Sequence, residues 1–142
     1  MRHMKMSRVL VVLALVGFTF SAGRALVMAQ GAGAGQMPAG VQQMKAANGT
    51  TVLADAKGMT LYTFAKDMPG VSNCNDKCAV AWPPLVAAAD AKAMGTFTVI
   101  TRADGSKQWA HKGMALYTWM KDAKPGDATG DGVGGAWKVA TP

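Results

Sequence analysis

Short apolar runs separated by turn residues fill the chain from Thr50 onward. "TTVLAD", "MTLYTF", "GTFTVIT", "KQWAH" and "AWKVAT" are each rich in Thr, Val, Tyr, Phe or Trp. That texture over a few residues predicts strands. Ala56-Lys57-Gly58 reads as the turn between the first two, with "MTLYTF" as the returning strand. Asp104-Gly105, set between two strand-like runs, predicts a hairpin, and "AWKVAT" a closing strand. Helical signals are few. "VQQMKAANG" predicts one weak helical turn before Gly49, and "LVAAADAKAM" reads as helical after Pro83 and Pro84.

The pattern is written twice. "KGMTLYTFAKD", Lys57 to Asp67, returns as "KGMALYTWMKD", Lys112 to Asp122, at a spacing of 112 − 57 = 55. Ala81-Trp82 matches Ala136-Trp137 at the same spacing. A lone hairpin unit cannot bury its apolar face, whereas two packed together can. The expected fold is therefore mainly β: a small antiparallel domain of two pseudo-symmetric hairpin repeats. Repeat 1 covers about 50–86 and repeat 2 about 105–141, with a short helical or irregular insertion around the cysteines.

The first thirty residues follow another rule. Arg2, Lys5 and Arg8 precede an apolar run from Val9 to Phe20, and small residues follow up to Ala29. That order is a secretory signal peptide, assigned to 1–29, with Val27-Met28-Ala29 as the cleavage site and Ala22 or Ala25 as alternatives. The run is short for a bilayer span, and extending it buries Arg24. The rival reading is a retained N-terminal anchor. Residues 30–48, opening with "GAGAGQMPAG", read as a flexible linker to a domain at 49–142.

Export changes the meaning of the charge. Of the formal +7, Arg2, Lys5, Arg8 and Arg24 carry four, leaving eleven basic residues against eight aspartates, 11 − 8 = +3. Scattered lysines without a dense patch argue against nucleic-acid binding.

The motif residues Tyr62-Thr63-Phe64-Ala65-Lys66-Asp67 and Tyr117-Thr118-Trp119-Met120-Lys121-Asp122 give the chain its resemblance. It resembles the bacterial secreted-repeat family of predicted lipoproteins, named for a Tyr-x-(Phe/Trp/Tyr)-x-x-Asp motif. "CNDKCAVAWPPL", "RADGSKQWAHKGMALYTW" and "PGDATGDGVGGAWKVATP" share in it, so the likeness covers Gly49 to Val139. It implies an exported, periplasmic or secreted envelope protein and no particular activity. No cysteine lies near the cleavage site to take a lipid, so the product is expected without an anchor or stable membrane insertion.

Few residues offer chemistry. Cys74 and Cys78, in an exported protein, predict a disulfide. Their spacing lacks the pattern of zinc, thioredoxin-like or haem-attachment motifs. His111 is the single histidine after the signal segment, and Met59 and Met114 occupy matching repeat positions. Imidazole and thioether together suit copper, which makes His111, Met59 and Met114 a minority metal set beside a packing role for both methionines. Asp127, Thr129 and Asp131 alternate like a calcium loop, but Lys138 stands where its closing acid belongs. There is no glutamate and no Gly-x-Ser-x-Gly. The four tryptophans and motif tyrosines form either a core or an aromatic ligand or haem pocket, with the core favoured. Asp67 and Asp122, each before a Pro-Gly loop, are expected to accept hydrogen bonds from backbone N–H groups two or three residues on.

The expected function is a non-enzymatic, cofactor-free binding or interaction module whose partner is an unidentified envelope component. The alternative is a periplasmic copper- or haem-handling electron-transfer protein.

Overall fold

The structure, a computed structural model, describes residues 35–142. The signal segment and the start of the linker lie outside the described residues. The rest is mainly β: β1 (Val41–Lys45), β2 (Thr51–Asp55), β3 (Tyr62–Phe64), β4 (Phe97–Thr101), β5 (Lys107–His111), β6 (Met114–Ala115) and β7 (Trp137–Val139), with a short α-helix, α1 (Lys77–Ala81), and a 3-10 turn at Val133–Gly135. All strand pairings are antiparallel: β1 with β2, β3 with β7, and β4 with β5 with β6.

Two helical expectations and one boundary are corrected. Val41–Lys45 is a strand, not a helical turn or linker, because its backbone pairs with Thr51–Asp55. Residues 85–94 form no helix. After Pro83 and Pro84 the backbone bonds go outward: Leu85 N–H donates to Leu116 O and Ala87 N–H to Lys107 O, both at 2.9–3.0 Å. The helical segment lies earlier, at Lys77–Ala81, and contains the second cysteine, Cys78. The Asp104-Gly105 hairpin forms as expected, with Gly105 left-handed and Arg102 N–H bonded to Ser106 O.

"MTLYTF" returns along β2 only at its start, through the Ala54↔Thr60 bridge. From Tyr62 it crosses to the other repeat. Tyr62 and Tyr117 exchange both backbone hydrogen bonds, at 2.8 and 3.0 Å. Closing segments are exchanged as well. Ala65 N–H bonds Ala136 O while Met120 N–H bonds Ala81 O. Ala140 sits between Leu53 and Leu61, and Leu85 sits in the same way between Trp109 and Leu116. Each repeat thus lends its last segment to the other.

The alternation of the motif strands divides the interior. Leu61 and Leu116 point into an aliphatic cluster with Val41, Leu53, Phe97 and Ala140. Tyr62 and Tyr117 point to the opposite side, into an aromatic cluster with Trp82, Trp137 and Cys74.

Candidate functional site

The motif places Tyr, an aromatic and Asp along a strand and the loop after it, and the exchange joins the copies at these residues. Tyr62 Oη donates to Asp122 Oδ2 at 2.6 Å, and Tyr117 Oη donates to Asp67 Oδ2 at 2.7 Å. Each phenol therefore bonds the acid of the other repeat. The second oxygen of each acid fixes its own loop: Asp67 Oδ1 accepts Asn73 N–H, and Asp122 Oδ1 accepts Thr129 N–H and Oγ1–H. These partners are six and seven residues on, not two or three, because the loops are wider than a tight Asx turn. Burial pushes both phenols above their usual range, with the carboxylate hydrogen bonds adding to it. Burial also raises the Asp67 carboxyl, against the Asn73 and Tyr117 hydrogen bonds.

The aromatic motif positions cap a stack. Phe64, Trp137, Trp82 and Trp119 lie face to face with successive centroid spacings of 4.3, 3.7 and 3.8 Å. Tyr62 and Tyr117 meet Trp82 and Trp137 edge-on. Gly130 presses on this stack: a Cβ there falls 2.8 Å from the Trp82 ring. Its N–H donates to Tyr62 Oη.

Arg102 is the residue that sequence reasoning missed. It is 7 % exposed, and its guanidinium bonds Ser72 Oγ, Gln108 Oε1 and Cys74 O at 2.7–2.9 Å. Since the Tyr117 proton goes to Asp67, the Ser72 hydroxyl donates to Tyr117, 2.6 Å away. A hydrogen-bonded line therefore runs from guanidinium to carboxylate. The available signal was that residues 30–142 hold ten lysines and a single arginine; a five-donor fork suits such buried bonding.

Cys74 and Cys78 are disulfide-bonded. Of the candidate metal set, His111 and Met114 face each other across β5–β6, whereas Met59 leads into Tyr62 on the other repeat. The antiparallel Tyr62↔Tyr117 bridge carries Met59 and Met114 apart. Among the described residues no three His, Cys, Asp or Glu are grouped to hold a metal ion. Asp127 instead caps Ala123 and Lys124, and Asp131 accepts Val139 N–H.

The open site lies on the aliphatic side. A cleft of about 400 Å³ is lined by Met37, Leu53, Phe97, His111, Lys112 and Pro142, among others. Its volume lies within the usual range for small-molecule pockets. Phe97 and His111 are opposite residues on β4 and β5, and their rings pack at 4.6 Å. Burial, reinforced by the neighbouring Lys112 ammonium, lowers the imidazole below its ordinary value.

A family model described as a secreted repeat of unknown function (Lipoprotein_15) matches residues 43–86 and again 98–141. The chain belongs to this family. Both matched stretches span a motif strand and the closing segment it exchanges, and their starts differ by 98 − 43 = 55. The secreted-repeat family places the chain outside the cytoplasm, in the periplasm or beyond the cell. Comparison with curated proteins gives no match, and comparison with solved structures gives none. Among the described residues no helix is long and apolar enough to cross a membrane.

Proposed function

We propose that this secreted-repeat protein is a non-catalytic binding module of the cell envelope that takes a small ligand in the Phe97–His111 cleft. The observation that carries the reading is the division of labour between the two sides of the fold. The family motif, with its phenols and acids, is consumed in holding the repeats together. The cleft is open, largely apolar, and contains a buried imidazole. The partner in the envelope is whatever supplies this ligand.

Two measurements test the reading. Ligand-observed and amide-shift NMR with a library of small fragments should give perturbations clustered on Met37, Leu53, Phe97 and His111. Perturbations elsewhere, or none, overturn it. Protein purified from an exporting host should show neither stoichiometric metal nor a Soret band; either would favour copper or haem handling.

A further inference from the structure

The two repeats make it possible to ask where one has departed from the other. β1 and β2 superpose in register on β4 and β5 with a shift of 56, since Val41↔Asp55 corresponds to Phe97↔His111. The motif strands that follow are related by 55, as Tyr62 is to Tyr117. One residue is therefore extra in repeat 1, and it is Ala56: "ADAKGM" stands against "AHKGM". In repeat 1 the longer turn is capped by Asp55 Oδ1, which accepts Lys57 N–H and Met59 N–H at 2.8 and 3.0 Å. Repeat 2 has neither the extra residue nor the capping acid. Its turn puts Lys112 at φ 50 and Gly113 at φ 84. A left-handed lysine is uncommon and costs stability that a glycine or asparagine would not.

These changes converge on the cleft. Where repeat 1 has the pair Val41 and Asp55, repeat 2 has Phe97 packed on His111. His111 is only 7 % exposed, lines the cleft, and neither ring nitrogen is hydrogen-bonded by a described residue. Among the described residues no buried side-chain nitrogen or oxygen is left without a partner, so these ring nitrogens are open to the cleft rather than sealed in the core. The shortened turn also brings Lys112 to the mouth, where Nζ donates to Pro142 O at 3.0 Å and retains two further N–H bonds to give. Among the described residues that line the cleft none is an aspartate.

We propose that the cleft binds a small carboxylate with an apolar body. Its head group sits on Lys112 Nζ and a His111 N–H, and its chain or ring lies against Phe97, Leu53 and Met37. The ammonium supplies charge and the imidazole a directed donor, while the apolar walls admit the body and exclude water. This inference rests on the cleft being the ligand site and adds the ligand's chemical class.

The test uses the full exported protein and two matched pairs, benzoate with benzamide and hexanoate with hexanamide. Affinities come from titration calorimetry, and the His111 ring signal is followed by NMR. Each acid should bind about tenfold tighter than its amide, the difference between a charge-assisted and a neutral hydrogen bond. Each should also shift the His111 ring resonance. Lys112→Asn and Lys112→Gly, both at home in a left-handed turn, should abolish the preference for acids while the melting temperature holds or rises. If acids and amides bind equally, or the preference survives in both variants, the carboxylate assignment is wrong although the cleft remains a binding site. If no member of either pair moves His111 or gives heat, the carboxylate proposal is overturned; a fragment that binds elsewhere overturns the cleft reading as well.

Discussion

At the scale of single residues, the motif acids act across the repeat boundary, and that sets the size of their effect. Asp67→Ala takes an acceptor from the buried Tyr117 phenol and from the part-buried Asn73 N–H. At about 1–3 kcal/mol for each stranded group, the loss should reach about 3 kcal/mol, and Asp122→Ala should cost as much. Asparagine at either position should recover part of it, because an amide oxygen still accepts one bond. Urea denaturation of the four variants checks the order, and an Asn variant no better than Ala would show that charge is required. The pH dependence follows from Asp67. A carboxyl raised on folding holds its proton more tightly in the folded state, so its contribution to stability declines as pH rises from the unfolded titration through the folded one. Tyr117→Phe removes a bond that restrains this rise. Its cost should be about 2 kcal/mol at neutral pH and clearly smaller in acid, where the carboxyl is protonated in both states. Asp104 and Asp127, whose carboxyls are lowered by their hydrogen bonds, lose stability on acidification in both proteins and cancel in the difference. The importance of Tyr62, Asp67 and their counterparts was legible in the sequence from their repetition. Their pairing across copies was not, since a repeat spacing says which residues are alike and nothing about which ones touch.

At the scale of elements, the strands that were legible are those whose side chains announce them, such as β2, β4 and β5. β1 was misread because in "VQQMK" only Val41 is buried and Met44 half-buried, without a strand's alternation, and the segment owes its extended form to its partner. Residues 85–94 failed in the opposite direction: their alanines favour a helix, but backbone groups at Leu85 and Ala87 find acceptors on repeat 2 first. The β5–β6 turn offers a test at this scale. Lys112→Gly and Lys112→Asn relieve a left-handed lysine and should each raise stability by about 0.5–1 kcal/mol. Melting curves read this directly. A lower melting temperature in both would mean that the Lys112 bond to Pro142 O outweighs the turn. The Cys74–Cys78 bond closes a very small loop beside α1 and should contribute about 2 kcal/mol. Mass spectrometry without reductant should find no free thiol, and reduction should lower the melting point without unfolding the domain.

At the scale of the whole molecule, the two repeats are interlocked rather than stacked. Trp137–Val139, which ends repeat 2, completes a sheet with Tyr62–Phe64 of repeat 1, and Pro83 to Leu85 of repeat 1 returns the exchange along Leu116 to Thr118. The four-ring stack alternates in ownership: Phe64, then Trp137, then Trp82, then Trp119. A split between Gly95 and Thr96 therefore severs no strand, yet leaves each half without its partner's closing segment, phenol and rings. Neither half retains a core it can close by itself, so 35–95 and 96–142 should each be unfolded alone. Mixed in equal amounts they should recover the near-ultraviolet circular dichroism of the packed tryptophans, with a melting temperature that rises with concentration as a two-chain assembly requires. The intact chain should melt in a single transition. If either half alone shows the tryptophan signal and a cooperative melt, the repeats are independent folding units, and the crossed tyrosine–aspartate bonds are secondary to the hairpins that carry them.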